Sequence, residues 1–187
     1  MKIGIIHDFR VETRHRARRS WGLFQAAFIF LACGLPVQAH AQRGIMGPDA
    51  QACEQGAGPA FLVQVRGFKK SAGDLRVQIY GSDPQSFLAK GKWLRRIDLP
   101  VSNVPFMPVC VSLPAPGAYA VAVRHDVDGN GKSGWNDGGG FSRNPSLSLF
   151  HLKPAFAKVV VSVGTEVKKI PIVLNYRRGL SIRPIEE

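Results

Sequence analysis

The chain has 187 residues, a formal net charge of +12 and three cysteines, and 45% of its residues are hydrophobic. Residues 1–41 hold six of the basic and two of the acidic residues, so residues 42–187 keep 19 Lys and Arg against 11 Asp and Glu, a charge of +8. That remainder is one domain's worth, able to bury about two thirds of its unfolded surface; with no CxxC pair and no Cys/His cluster at zinc spacing, a structural zinc module is excluded.

The chain opens on a basic stretch: Lys2, Arg10, Arg14, Arg16, Arg18 and Arg19. An apolar run from Trp21 to Ala32 follows, shorter than the roughly 20 residues a bilayer-spanning helix takes. Ala39-His40-Ala41 puts small residues at the two positions a signal peptidase reads. A cleaved signal peptide is expected over 1–41, cut before Gln42, leaving a periplasmic or secreted protein that does not span a membrane. Two processing variants stand beside it. Phe30-Leu31-Ala32-Cys33 has lipobox form, except that Phe30 stands where leucine is usual, and Arg18-Arg19 is a twin-arginine pair. The long basic stretch also leaves open a start downstream of Met1. In an oxidising compartment Cys53 and Cys110 most simply form one disulfide, and two buried free thiols are the alternative. Closing that loop contributes about 4 kcal/mol in the chain-entropy model.

Residues 42–59, rich in Gly, Ala and Pro, read as a flexible lead-in pinned by Cys53. Period-two alternation then marks strands. Phe61, Val63 and Val65 form one inward set, and Leu75, Val77 and Ile79 another. The polar turn 69–74 between them predicts an antiparallel pair. Residues 81–93 form a connection in which Phe87-Leu88 can make one helical turn. Leu94–Val101 is a weaker strand whose Pro100 suggests an edge position. Val104–Leu113 is a strand carrying Cys110, with Val109, Val111 and Leu113 on one face. After the corner 113–118, Tyr119, Val121 and Val123 face one way and Ala118, Ala120 and Ala122 the other. A tyrosine at such a corner often bonds back to the turn backbone, although a plain half-buried tyrosine reads equally well. Residues 145–154 are mostly irregular. Strands are expected from Val159 and over Val167–Tyr176, the latter with Ile170, Ile172 and Leu174 inward. No amphipathic helix of ten residues or more is evident. The expected architecture is all-β, an antiparallel β-sandwich of about seven strands over 60–178, with 179–187 as a tail.

The segment His125-Asp126-Val127-Asp128-Gly129-Asn130-Gly131-Lys132 has the ligand spacing of a calcium loop. Asp126, Asp128 and Asn130 alternate, and Gly131 stands sixth, where such a loop turns sharply. Lys132 offers a backbone carbonyl at the seventh position, Gly134 leaves the ninth to water, and Asp137 falls at the twelfth. Calcium takes about six to eight hard oxygens, and alternate residues of a tight loop aim inward together. Against it stand the short Asp137 in place of a bidentate Glu, the nearby charges of Arg124 and Lys132, and a strand in place of a helix before the loop. Asp128-Gly129 and Asn130-Gly131 are also favoured tight-turn pairs, so a metal-free turn is the competing reading.

The run Tyr119–Asn144, with HD-x-DGNGK, a glycine-rich stretch and then GFSRN, resembles the DUF2141 family of exported bacterial proteins. The terminal strand Ile172-Val173-Leu174-Asn175-Tyr176 is similar to the end of that domain. The resemblance covers roughly residues 60 to 178. It implies an Ig-like or prealbumin-like sandwich in the periplasm or outside the cell, with no established enzymatic activity. Many members carry an acidic residue two positions after the GNGK lysine. Here that position is Gly134, which puts metal binding in doubt unless Asp137 substitutes.

Other chemistries find less support. His125, Asp126 and serines 142, 146 and 148 compose a hydrolytic set on paper, without a nucleophile elbow. His125 reads more simply as a residue fixing the loop. Gly138-Gly139-Gly140 precedes no helix start that would bind phosphate and reads as flexible or closely packed backbone. The basic residues are scattered and lack a nucleic-acid motif, so nucleic acid is not an expected partner. In an exported protein they would more plausibly meet lipopolysaccharide or another anionic envelope component. Trp135, inside the loop, is a speculative ligand-stacking residue; the alternative is a cap on the core. The expected function is a non-enzymatic binding or envelope module with no cofactor other than calcium in the 126–137 loop.

Overall fold

The structure is a computed structural model and describes residues 44–102 and 105–185. The leader with Cys33, the twin arginines and the cleavage site lies outside the described residues. No helix among them is long and apolar enough to cross a membrane.

Two sheets enclose the core. The smaller has the order β4-β1-β8, built from β1 (Ala60–Arg66), β4 (Phe106–Ser112) and β8 (Val167–Val173). The larger takes β2 (Asp74–Tyr80), β3 (Arg95–Pro100), β5 (Gly117–Asp126), β6 (Gly138–Phe141), β7 (Val160–Val163), β9 (Asn175–Arg178) and β10 (Ser181–Pro184). Its order is β10-β9-β6-β5-β2-β3, and β7 pairs the first half of β5 while β6 pairs the second. The chain is an all-β sandwich, with ten strands among the described residues where about seven were expected. One pair, β1 with β8, is parallel.

Alternation places the core as the sequence implies. Phe61, Val63 and Val65 meet Leu75, Val77 and Ile79 across the interior, with Tyr119, Val121, Val123, Ile170 and Ile172. The opposite face of the larger sheet holds a second cluster, in which Ala120, Ala122, Phe141 and Tyr80 pack against Phe87, Trp93, Leu147 and Phe156. Small residues on that face of β5 leave room for the two connections that cover it.

One predicted pairing is corrected. β1 and β2 do not form a hairpin; they lie in different sheets. Period two identifies the buried face of a strand but not its neighbours. The connection 67–73 exceeds the usual hairpin loop, and it carries the chain from one sheet to the other. The closing strand also divides. β8 ends at Val173 and β9 begins at Asn175, so Leu174, fully buried, sits where the chain changes sheets. β3 lies at the edge of its sheet, as Pro100 suggests.

Residues 44–59, read as a flexible lead-in, hold a bridge from Met46 to Val109 and a short helix α1 (Ala50–Glu54). Cys53 and Cys110 form a disulfide with Cα atoms 5.9 Å apart. The Asp49 carboxylate accepts hydrogen bonds from Ser112 N–H at 2.9 Å and from Arg95 at 2.7 Å. Strand β10 lies within the stretch read as a tail. The Tyr119 hydroxyl donates to the Ala115 carbonyl at 2.7 Å, so the corner tyrosine bonds back to its turn.

Candidate metal-binding loop

The loop leaves the end of β5 and returns as β6. Asp126 ends β5 and is buried; Asp128 is exposed and Asp137 half-buried. Carboxylate oxygens of the three lie within 4.8 Å of one another. The backbone turns around them. Asp126 accepts the N–H of Gly131 at 2.8 Å and of Asn130 at 3.2 Å. Asp128 accepts the Asn130 N–H at 3.3 Å, and Asn130 Oδ1 accepts the Lys132 N–H at 2.7 Å. Gly131 has φ +77°, a conformation L side chains rarely adopt, which is why the sixth position is glycine.

Asp137 closes the loop from its far end, accepting Val127 N–H at 3.2 Å and Gly134 N–H at 2.8 Å. A Cβ on Gly134 would stand 3.8 Å from Asp137 Oδ2. The Asp137 carboxylate therefore lies beside the position where the resemblance leads one to expect an acidic side chain. Asp126, Asp128, Asn130 and Asp137 all contribute oxygens to the loop interior or its turns. The role expected of Lys132, a carbonyl ligand, is a backbone one; its N–H serves the Asn130 turn.

Arg124 supplies the balancing charge. Its guanidinium donates to Asp126 Oδ2 at 3.1 Å, to the Gly131 carbonyl at 3.1 Å and to Ser133 Oγ at 2.9 Å. In the sequence alone, Arg124 stands only as a charge opposing metal. Its position two residues before Asp126 on one strand puts both on the same face, and that spacing was the available signal. Burial pushes the Asp126 carboxyl up. The Gly131 N–H, the Asp128 side chain, Arg124 and the Asn130 N–H outweigh it, holding the group below the usual carboxylate range.

His125 lies beneath the loop, fully buried. Its Nε2 faces the Ala72 carbonyl at 2.8 Å and its Nδ1 the Tyr176 hydroxyl at 2.6 Å, while Tyr176 accepts the Lys69 N–H at 3.1 Å. A carbonyl only accepts, so Nε2 carries the hydrogen, and in a neutral ring Nδ1 accepts from the tyrosine. Both nitrogens are thus committed to structure. Burial and the charge of Asp137 raise the Tyr176 hydroxyl far above its ordinary value, against the opposing Lys69 N–H.

The paper Ser/His/Asp set is not assembled. Ser142 accepts the Val121 N–H and donates to Val159, away from His125. The half-buried Ser148 instead meets His151, at 3.3 Å. Asn144, last residue of GFSRN, donates to the Pro171 carbonyl at 3.0 Å and accepts the Val173 N–H at 2.8 Å, tying the β6 exit to β8. Of the three glycines, Gly138 and Gly140 are closely packed, while Gly139 has room for a side chain. A side chain on Gly138 would strike the Tyr176 ring, and one on Gly140 would lie 2.6 Å from Ile172 Cγ2 and 2.9 Å from the Val173 carbonyl oxygen. Trp135 is 76% exposed, so it does not cap the core, and Arg177 stacks on its ring at 4.2 Å from the centroid.

Fold and loop together define an all-β sandwich that carries an acidic turn at one end of its larger sheet. The chain belongs to the family described as an uncharacterized protein conserved in bacteria (DUF2141), whose model matches residues 63–171. No curated protein and no solved structure matches the chain.

Proposed function

We propose that this protein is an exported, non-enzymatic module that acts by binding or as an envelope component, with its 126–137 loop stabilised by calcium. The observation that carries the calcium reading is the convergence of the Asp126, Asp128 and Asp137 carboxylates within 4.8 Å. Three like charges so close repel one another, and a divalent cation relieves that repulsion more fully than the single guanidinium of Arg124. The donor set supports a hard cation: carboxylates and the Asn130 amide oxygen, with no sulfur or imidazole. Each carboxylate has about four acceptor positions, so the backbone bonds leave lone pairs for an ion. The non-enzymatic reading draws support from the structural commitment of both His125 nitrogens. The basic leader and the disulfide support export.

The test is thermal melting with excess calcium and then with chelator, beside an Asp126→Ala/Asp128→Ala variant. A ligand at a hundred times its dissociation constant stabilises the native state by about 2.7 kcal/mol. A calcium-dependent rise that vanishes in the variant is expected. Identical melting in both conditions would reduce the loop to a turn held by Arg124 and its own amides.

A further inference from the structure

The connection between β6 and β7 carries a surface that neither the acidic loop nor the core uses. From Gly138 to Thr165 there is no acidic residue, while Arg143, Lys153 and Lys158 fall within it. Leu147 and Phe156 seat the two ends of this connection on the second cluster. Between them the chain closes a tight hairpin: the His151 N–H donates to the Ser148 carbonyl at 3.0 Å and the Ser148 N–H returns to His151 at 3.4 Å. Leu149 and Phe150 form its tip. Phe150 is 92% exposed and Leu152, just beyond the hairpin, 51%. Beside the tip lies an open cleft of about 650 Å³, lined by Ser146, Ser148, His151, Lys153 and Lys158, with no carboxylate in its lining.

We infer that this hairpin docks on the surface of an anionic lipid bilayer. Phe150 and Leu152 enter the boundary between headgroups and acyl chains, and the cleft takes a lipid phosphate. Aromatic and aliphatic tips flanked by cations are what that boundary favours. The lysines contribute attraction that depends on anionic lipid and is screened by salt. Ser146 and Ser148 supply neutral hydroxyl donors to the same phosphate. A soluble phosphate would use the cleft and leave Phe150 in water, and a protein partner would need a larger apolar patch than two side chains. The surface includes no residue of the 126–137 loop and needs no metal, so it stands independently of the calcium reading.

The test is co-sedimentation of the full chain, in chelator, with vesicles of phosphatidylcholine alone and of phosphatidylcholine mixed equally with phosphatidylglycerol. The leader is common to every variant, so differences between variants report the hairpin. Phe150→Ser and Lys153→Gln/Lys158→Gln are each expected to reduce partitioning onto the anionic vesicles about tenfold. Lys70→Gln/Lys169→Gln, which removes the same charge elsewhere, is expected to bind as the parent does. All these side chains are exposed, and unchanged melting confirms that each variant folds. Equal loss in both lysine pairs would overturn a localised site. Full retention by Phe150→Ser would overturn lipid docking in favour of a phosphate cleft, and absence of any preference for anionic vesicles would overturn the inference outright.

Discussion

Tyr176 and His125 join parts of the chain far apart in sequence. The tyrosine bonds the imidazole and the Lys69 amide, and the imidazole bonds Ala72. Tyr176→Phe leaves His125 Nδ1 and the Lys69 N–H without that partner, which costs about 1–3 kcal/mol. Chemical denaturation at neutral pH measures it. The same residue sets an alkaline signature. Burial raises the folded hydroxyl above its unfolded value. Its contribution is therefore fully present below the unfolded value of about 10 and is lost as pH rises toward the folded value. Parent and Tyr176→Phe stabilities, compared from pH 8 upward, should accordingly converge above about pH 10; a constant difference would exclude the linkage. Gly140 acts by omission, since any side chain there meets Ile172 and the Val173 carbonyl. Gly140→Ala should destabilise by about 1–3 kcal/mol through overpacking, while Gly139→Ala, whose Cβ would make only an ordinary contact, should cost less.

At the scale of elements, the acidic loop was the part most legible in the sequence. Alternate oxygens before a glycine reveal the turn, because Asx side chains capture local amides and only glycine takes the sixth conformation easily. Counting to the twelfth position singles out Asp137 as a ligand candidate, and its carboxylate accepts the Val127 and Gly134 amides. What spacing does not reveal is the setting: the Arg124 clamp, and His125 buried against a tyrosine fifty-one residues away. GFSRN was visible as a motif, but its work is long-range bonding of Ser142 to Val159 and Asn144 to β8. The loop also makes a prediction of its own. Gly134 lies beside Asp137 and has no positive φ, so Gly134→Asp adds a fourth carboxylate without backbone strain. If calcium occupies the loop, titration calorimetry should show tighter binding in this variant. In chelator the same variant should melt lower than the parent, because the added charge is then uncompensated. Unchanged binding together with unchanged melting in chelator would mean that the new carboxylate points away from the others.

At the scale of the whole molecule, the chain passes between the two sheets five times among the described strands, from β1 to β2, β3 to β4, β4 to β5, β7 to β8 and β8 to β9, and Asn144 adds a side-chain tie. Alternation made the core faces legible residue by residue. Assignment to a sheet was not, because a strand buried on one face fits either layer until its neighbours are known. The Cys53–Cys110 disulfide adds a covalent tie of another kind, fastening α1 to β4 across a sequence separation of 57. Met46 and Asp49 fasten the same segment by weaker means, through a bridge to Val109 and bonds to Ser112 and Arg95. The two contributions can be separated. A disulfide acts largely by restricting the unfolded chain, so Cys53→Ser/Cys110→Ser should lose about 4 kcal/mol. Its denaturant slope should rise, because an uncrosslinked unfolded chain exposes more surface. Asp49→Ala, by contrast, removes native-state bonds and should lower the midpoint while leaving the slope unchanged. A double cysteine variant as stable as the parent would show that the Met46 and Asp49 contacts hold the segment without the covalent tie.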